Sequence, residues 1–488
     1  MCMLSIDWKP DKKSCISMYR QIVNYIKEKI GNGEWTIGEK LPSQRELAEK
    51  FEVNRSTIVE ALDELKADGL IEGKSKKGTR IINNTWSLMA SMLPGSWEPY
   101  IKSGIHKPNL HTIQIINKME YKDNIIRLGT GELSPELFPK DMMKKVFKTV
   151  SNNITSLNYE MAKGSLKLRK VISEYLKKFH INVSPDSILI VSGSLQALQL
   201  ISMSILKPGS KILVEKPSYI KSLHVFDFSG VSFSGISMDA DGIKLNEILK
   251  NIDRNTSLLY TIPTFHNPTG ILMPQYRRNK LLDLCNKERI PIIEDDAYRE
   301  LWLDEMPPYP IKAKDENGIV LYMGTTSKSM AAGMRIGWVV APETVVDRLG
   351  DVKMQTDYGA SSISQYVTAE WIESGFYEIY LKELREKLKI RRKIALNVLE
   401  KNFFDIASWN VPKGGFYIWL KLKNKVDMKK LFYKCCKKGI LINPGYIYDF
   451  IKNYNIRISY SYASLYDLEL GLKKLSQIIR SLSDRCHC

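Results

Sequence analysis

The chain has 488 residues, of which 44% are hydrophobic and 26% are charged, a balance typical of soluble globular proteins with about three domains. Its formal net charge of +18 points to an anionic partner such as a nucleic acid. However, residues 1–83 carry 15 Lys and Arg against 13 Asp and Glu, a net charge of only +2. The positive surplus lies downstream, where we interpret it as a general lysine bias.

The cysteines and the N-terminus limit the compartment and the class of protein. There are seven cysteines, an odd number, and no C-x-x-C pair, so the sequence predicts neither a disulfide framework nor a zinc site. The tail Cys486-His487-Cys488 could hold a soft metal, but we interpret it as a frayed end. The chain shows no secretion signal and no run of about 18 apolar residues. We therefore expect a cytoplasmic protein without a metal site or a membrane span.

The predicted elements fall into three stretches along the chain. Residues 14–82 form a compact helical unit with a short hairpin, and residues 83–122, broken by Pro and Gly, form a linker with a short helix near 111–120. From 123 to 488, apolar strand patterns such as 187–191 and 291–295 alternate with amphipathic helices. This alternation predicts an α/β domain with a largely parallel sheet, whose large subdomain covers about 165–350.

The N-terminal unit has the pattern of a winged helix-turn-helix. One amphipathic helix covers 19–30, and a second begins at the capping box Ser43-x-x-Glu46. After a tight turn, Asn54 is placed to cap a third helix. The stretch 69–82 then reads as a hairpin with a basic tip, which is the position of a wing.

The segments LPSQRELAEKFEVNRSTIVEALDELKADGLI (41–71) and KKGTRI (76–81) resemble the GntR family of DNA-binding regulators. The resemblance implies that the start of the third helix reads double-stranded DNA at an operator, because arginine can bind guanine edges or phosphates there. It also implies that the wing lies near phosphates or the minor groove. The DNA-binding residues expected on this basis are Ser43, Arg45, Arg55, Ser56, Thr57, Lys76, Lys77 and Gly78.

The most informative C-terminal motif is TTSKSMAAGMRIGW (325–338). It resembles the lysine motif of fold-type I aminotransferases, which bind pyridoxal 5′-phosphate. By this resemblance, Lys328 is the lysine that forms a Schiff base with the cofactor. Thr325, Ser327 and Arg335 would hold the phosphate, since a dianion needs several donors and a cation.

Further motifs follow the order of that family. PTFHNPTG (263–270) resembles the loop whose asparagine, here Asn267, bonds the 3′-oxygen of the pyridine ring. In EDDAY (294–298), Asp295 would keep the ring nitrogen protonated and Tyr298 would bond the 3′-oxygen. Arg457, in IRISY, matches the arginine that holds a substrate α-carboxylate through its planar fork.

Three other segments complete the resemblance. Ser194 and the Leu195 amide begin a helix directly after a strand, which is an anion site for the phosphate. Tyr219, in EKPSY (215–219), matches the aromatic residue that stacks on the cofactor. Tyr159 matches a tyrosine that reaches the phosphate bound by the partner subunit, which implies a homodimer.

A GntR-type reader followed by an aminotransferase-like domain resembles the MocR family of bacterial regulators. The resemblance implies a homodimeric transcription regulator that senses pyridoxal 5′-phosphate and, in some members, an amino acid or amine. The full set of cofactor residues leaves an active aminotransferase with a DNA-binding domain open as an alternative. A scaffold that has lost its cofactor is a third hypothesis, which the intact set of cofactor residues disfavours. The motifs name neither the target genes, nor the sign of regulation, nor an amino effector.

Overall fold

The computed structural model describes residues 6–12, 14, 16–31, 34–74, 78–82, 97, 101, 103, 108–226 and 230–483. The chain divides into two compact units, Met1–Lys107 and Pro108–Cys488. Lys76 and Lys77 at the predicted wing tip, most of the stretch 83–107 and the tail Cys486-His487-Cys488 lie outside the described residues.

The N-terminal unit is a three-helix cluster followed by a hairpin. Apolar side chains at helical spacing pack α1 against α3, and Trp35, Leu47 and Phe51 complete a core of their own. The elements are α1 (Met18–Gly31), α2 (Gln44–Phe51), α3 (Arg55–Ala67), β1 (Ile71–Lys74) and β2 (Gly78–Ile81). β1 and β2 are antiparallel, with Ile71 opposite Ile81, so the unit has the predicted form of a winged helix-turn-helix.

The helix α4 (His111–Met119) belongs to the second unit, although the sequence pattern placed it in a linker. Thr112 and Ile116 are buried, and Ile113, Ile115 and Met119 pack against the large hydrophobic core. The stripe of isoleucines explains this packing, because one apolar face of a helix has to be covered.

The second unit is built on an eight-stranded sheet in the order β4-β11-β10-β9-β8-β5-β6-β7. The five central strands β10, β9, β8, β5 and β6 are parallel. β11 is antiparallel to both β10 and β4, so β4 runs in the direction of the central strands, and β7 is antiparallel to β6. The prediction of a largely parallel sheet is confirmed. The strands are β4 (Ile188–Val191), β5 (Lys211–Lys216), β6 (Ser232–Asp239), β7 (Gly242–Ile243), β8 (Thr256–Thr261), β9 (Ile292–Asp295), β10 (Val320–Thr325) and β11 (Gly337–Val340).

Helices cover this sheet, as a sheet of continuous apolar strands requires. β4, β9, β10 and β11 are buried along their whole length. The helices that precede, connect or follow these strands are α5 (Lys140–Asn153), α6 (Leu166–Lys177), α7 (Ser194–Ser204), α8 (Leu245–Asn251), α9 (Gln275–Glu288), α10 (Glu343–Thr356) and α11 (Ser362–Glu373).

A second, smaller sheet follows the 28-residue helix α12 (Phe376–Phe403). Its order is β12-β13-β16-β15, with antiparallel neighbours, and β3 (Ile126–Arg127) pairs with β14. The first strand of the second unit therefore belongs to the subdomain that its C-terminal residues form. The elements are β12 (Ala407–Trp409), β13 (Tyr417–Leu422), α13 (Met428–Lys437), β14 (Ile440–Leu441), β15 (Asn443–Pro444), β16 (Asn455–Ser459) and α14 (Leu465–Ser483).

Candidate DNA reader and ligand site

In the N-terminal unit, the predicted capping box at α2 is present. Ser43 Oγ accepts a hydrogen bond from the Glu46 amide, and Glu46 Oε2 accepts one from the Ser43 amide at 2.6 Å. Asn54 occupies the N-cap position of α3, but its side chain makes no capping hydrogen bond. The prediction of a side-chain cap at Asn54 is therefore wrong, since no amide of the first turn meets its oxygen.

Most of the predicted DNA-binding residues that the structure describes are exposed to solvent. Arg45, Arg55 and Ser56 are exposed, Thr57 is half-buried, and Arg55 Nη2 donates to Gln44 Oε1 at 3.2 Å. Ile58, Leu62 and Leu65 bury the opposite face of α3, which turns its N-terminal residues outward. Gly78 begins β2 with φ +80°, a conformation that favours glycine.

In the C-terminal unit, Lys328 follows β10 and lies in a site built from distant parts of the chain. Its Nζ donates to the carbonyl of Gly131 at 2.6 Å. Tyr417, the first residue of β13, is buried in the same place, because a Cβ added to Gly131 would lie 2.5 Å from the Tyr417 hydroxyl and 3.8 Å from Lys328 Nζ. Glycine at position 131 thus lets this phenol approach the lysine.

Asn267 and Tyr298, which are both expected to bond the 3′-oxygen of the cofactor, are hydrogen-bonded to each other. Asn267 Nδ2 donates to the Tyr298 hydroxyl at 3.1 Å, and that hydroxyl lies 3.4 Å from the hydroxyl of Tyr417. Both predicted residues are almost fully buried. Burial raises the pKa of Tyr298 well above its ordinary value, so this phenol remains a proton donor at neutral pH.

Asp295 ends β9 and is 6% exposed. Its Oδ2 accepts a hydrogen bond from the Tyr260 hydroxyl at 2.8 Å, and its Oδ1 accepts one from the Ala297 amide at 3.3 Å. Burial raises the pKa of Asp295 to about 6. A cation placed against this carboxylate would stabilise its ionised form.

The predicted phosphate residues surround the start of α7. Gly193 precedes this helix with φ +86°, and no side chain caps the helix, so its first amides are open to an anion. Arg335 is exposed, its Nη2 donates to the Ser192 carbonyl at 3.1 Å, and its Cζ would lie 3.0 Å from a Cβ at Gly193. Thr325 and Ser327 are hydrogen-bonded to each other at 3.0 Å.

Arg457 on β16 is buried at 4% exposure. Its Nη1 donates to Asn267 Oδ1 at 2.9 Å and its Nη2 donates to the Gly129 carbonyl at 2.6 Å. Its Nε has no hydrogen-bond partner among the described residues. The guanidinium also lies 4.2 Å from the ring centroid of Tyr417.

Tyr219 and Tyr159 occupy different surroundings. The Tyr219 amide donates to the Asn267 carbonyl at 3.1 Å, which brings this residue to the ligand site, and burial raises the pKa of its phenol to about 12. Tyr159 is 81% exposed and its ring lies 5.2 Å from that of Tyr358. Leu157 and Met161 beside it are also more than half exposed.

Sequence reasoning missed Tyr260, Tyr417, Gly129 and Gly131, which contact the predicted residues directly. Only Tyr417 carried a local signal, a Gly-Gly pair two residues before it at the start of a strand pattern. The others are single residues in ordinary contexts, and they reach the site through the fold.

The arrangement of these residues fits pyridoxal 5′-phosphate. The open amides of α7, with Arg335 above Gly193, suit a phosphate dianion. Lys328 suits an aldehyde, the buried Asp295 suits a ring nitrogen, and the unpartnered Arg457 Nε suits an additional acceptor. Among the described residues, no group of three or more His, Cys, Asp or Glu could hold a metal ion.

Fold and site together define a winged-helix protein fused to an aminotransferase-like unit of fold type I. Residues 123–474 match the family described as aminotransferase class I and II, and residues 18–81 match the gntR family of bacterial regulatory proteins. The chain belongs to the family of HTH-type regulators that join these two domains, the MocR type. The predicted fold class is thereby confirmed.

Two regulators match this chain over nearly its whole length. The HTH-type transcriptional regulator YdfD of Bacillus subtilis is 52% identical, with 98% of this chain and 99% of the relative covered. The HTH-type transcriptional regulator NorG of Staphylococcus aureus is 36% identical over 91% of this chain and 100% of its own.

A solved structure shares the fold of the C-terminal unit. The kynurenine aminotransferase of Pyrococcus horikoshii is 31% identical with a TM-score of 0.73, over 77% of this chain and 96% of its own. Within the described part of the chain, no helix is both long and apolar enough to cross a membrane.

Proposed function

We propose that this protein is a DNA-binding transcription regulator whose C-terminal unit binds pyridoxal 5′-phosphate and, as effector, an amino acid or amine. The observation that carries the proposal is the convergence of Lys328, Asn267, Tyr298 and Asp295 beside an open helix start. Relatives named as transcriptional regulators over almost the whole chain support the regulatory half.

Each residue has a task in this proposal. When bound, the cofactor supplies an electron-withdrawing ring and an aldehyde that takes up amines. Asp295 would hold a proton at the ring nitrogen, while Asn267 and Tyr298 would donate to the 3′-oxygen. Arg335, Ser327, Thr325, Ser194 and the Leu195 amide would bind the phosphate, and Tyr219 would cover the ring.

The effector would occupy the space between Lys328 and Arg457. An amino group belongs at the lysine, and a carboxylate belongs at the guanidinium fork, which matches its planar geometry. A ligand of this kind shifts a regulator only if it binds one of its arrangements better than another.

DNA binding is assigned to α2, α3 and the wing, with Arg45, Arg55, Ser56, Thr57 and Gly78 as contacts. Ser43 would approach the backbone of the operator in addition to capping α2. Lys76 and Lys77, outside the described residues, remain proposed contacts of the wing.

We also propose a homodimer. The exposed apolar patch of Leu157, Tyr159, Met161 and Tyr358 is the kind of surface that a partner subunit covers. A second copy there would bring its Tyr159 to the phosphate of the first. Two readers would then face two operator half-sites.

The cofactor proposal predicts that Lys328→Ala abolishes the absorbance band near about 420 nm that forms on adding pyridoxal 5′-phosphate. The reason is that the band requires a Schiff base to this amine. Absorbance titration of the purified protein measures it, with Lys387→Ala, an exposed lysine on α12, as the matched control. A band that survives in Lys328→Ala would contradict the assignment, and loss of the band in Lys387→Ala as well would show that the effect is not specific to Lys328.

An active aminotransferase is the second candidate, favoured by the presence of Arg457 beside a full set of cofactor residues. Amino acids added to the cofactor-loaded protein, followed by a keto acid, decide between the two. Repeated turnover would support the enzyme, whereas a spectral change without turnover would support a sensor.

A further inference from the structure

Residues 129–131 link two cations of the ligand site through their own backbone. The carbonyl of Gly129 accepts from Arg457 Nη2 at 2.6 Å, and the carbonyl of Gly131 accepts from Lys328 Nζ at 2.6 Å. The proposed function assigns both cations to groups of the ligand. A ligand therefore has to compete with this segment for its anchors.

The side chain of Thr130, between the two glycines, contacts Glu120 instead of the two cations. It is 3% exposed, and its hydroxyl donates to Glu120 Oε1 at 2.8 Å. A hydroxyl bonded to a carboxylate is a strong type of hydrogen bond because the acceptor is charged. Glu120 is the C-cap residue of α4, so a side chain of this helix holds the segment.

The helix is itself firmly anchored. Thr112 Oγ1 lies 2.8 Å from the hydroxyl of Tyr446, and Ile116 is buried against the core. On the other side of the segment, a Cβ at Gly129 would lie 2.8 Å from the backbone nitrogen of Asn443. The segment is therefore confined between β15 and the end of α4.

We propose that Glu120 and Thr130 are positioning residues of the ligand site. Their hydrogen bond holds the Gly129 carbonyl against Arg457 Nη2. A ligand carboxylate therefore has to displace that carbonyl before it can bind Nη2 and the unpartnered Nε together. This inference rests on the proposed function and adds its regulation. Ligands without a carboxylate do not compete with the Gly129 carbonyl for Arg457.

The same contact gives the ligand a route to the reader. α4 begins at His111, four residues after the N-terminal unit ends at Lys107. Displacement of residues 129–131 strains the bond between Thr130 and Glu120, and so acts on the helix α4 that follows the N-terminal unit in the chain. Only binding that differs between two arrangements can produce such coupling.

Two probes separate the carboxylate from the rest of the ligand. N-(5′-phosphopyridoxyl)glycine carries a carboxylate for Arg457, whereas pyridoxamine 5′-phosphate does not. We expect Thr130→Val, which replaces the hydroxyl with a methyl group of similar size, to tighten binding of the first probe by about threefold to tenfold, with the second unchanged. Isothermal titration calorimetry of the full-length protein measures both dissociation constants.

Two changes at Glu120 provide the matched pair. Glu120→Ala removes the acceptor and should reproduce the effect of Thr130→Val, whereas Glu120→Gln keeps an acceptor oxygen and should behave as wild type. The affinity for a DNA duplex selected by the wild-type protein gives a second readout. Adding the first probe should change this affinity less in Thr130→Val and Glu120→Ala than in the wild-type protein.

The outcomes distinguish this inference from the function on which it rests. If wild type binds neither probe, the proposed function fails and the inference fails with it. If wild type binds both probes but Thr130→Val and Glu120→Ala change them equally, weaken the first probe, or change neither, the inference alone is overturned.

Discussion

Asp295 illustrates how one buried residue combines a structural cost with a functional task. The end of β9 places it where water is excluded, and the Tyr260 hydroxyl and the Ala297 amide replace only part of its hydration. Burial therefore raises the pKa of this carboxyl to about 6. A protonated pyridine ring nitrogen would offset this cost, because an opposite charge favours the ionised carboxylate.

The consequence is a pH-dependent stability in the absence of cofactor. The folded protein holds the Asp295 proton up to about pH 6, whereas the unfolded chain releases it at about pH 4, so folding free energy is lost as pH rises between these values. We expect Asp295→Asn, which cannot ionise, to be more stable than wild type by about 3 kcal/mol above about pH 7. Urea unfolding of the cofactor-free proteins measures this difference.

The control for this prediction is the same comparison at about pH 4, where the wild-type carboxyl is protonated in the folded protein and the two proteins should be nearly equally stable. The affinity for pyridoxal 5′-phosphate should change in the opposite sense, since the neutral amide of the Asp295→Asn variant offers no charge to the ring. A variant that is no more stable than wild type at high pH would contradict the effect of burial.

At the scale of elements, α3 packs against the core with one set of residues and exposes another set at its start for the proposed contact with DNA. Ile58, Leu62 and Leu65 face the core, while Arg55 at its start is exposed and donates to Gln44 on α2. This contact between the two helices holds the arginine at the edge of the unit. The end of the same helix, with Lys66 paired to Asp63 at 2.9 Å, lies about three turns away.

We therefore expect Arg55→Ala to weaken binding to a duplex selected by the wild-type protein by about tenfold or more, because a direct contact to a base or phosphate is lost. Fluorescence anisotropy at fixed salt concentration measures the affinity. Lys66→Ala removes a cation from the opposite end of the same helix and should have little effect. Equal losses in the two variants would indicate a general charge effect and would contradict the assignment of α3.

At the scale of the whole molecule, Tyr159 is a proposed phosphate residue that its own chain leaves largely exposed to solvent. That residue is 81% exposed beside Tyr358, within an apolar patch that a second copy could cover. The proposed homodimer would therefore complete the phosphate site from the partner.

Mixed dimers test this proposal directly. When Tyr159→Phe and Lys328→Ala are carried by different chains, the chain that keeps Lys328 also meets an intact tyrosine from its partner. When both changes are on one chain, the wild-type chain meets only a phenylalanine ring from its partner and should bind pyridoxal 5′-phosphate more weakly, by about tenfold for one hydrogen bond to a charged group. Absorbance titration of the purified mixed dimers measures both affinities.

The opposite ranking would show that Tyr159 acts within its own chain, and equal affinities would remove it from the site. The two mixed dimers carry the same substitutions in total, so each is the control for the other.

The sequence by itself determined the two modules, the type of sheet and the residue types of the ligand site. These features depend on local patterns: helical spacing, apolar strands and short motifs such as the one around Lys328. The cap at Asn54 was the local prediction that failed, because an N-cap residue can leave its side chain outside the hydrogen bond.

Tertiary structure decided what those residues touch. The bond from Lys328 to Gly131 joins positions 197 residues apart, and that from Arg457 to Gly129 joins positions 328 residues apart. Local sequence patterns do not predict contacts over such distances, because nothing in the sequence distinguishes the one glycine carbonyl that a distant side chain will contact. Tyr260 reaches Asp295 because β8 and β9 are neighbours in the sheet. The contact of Thr130 with Glu120 joins residues only ten apart, but no local pattern predicts that these two side chains meet.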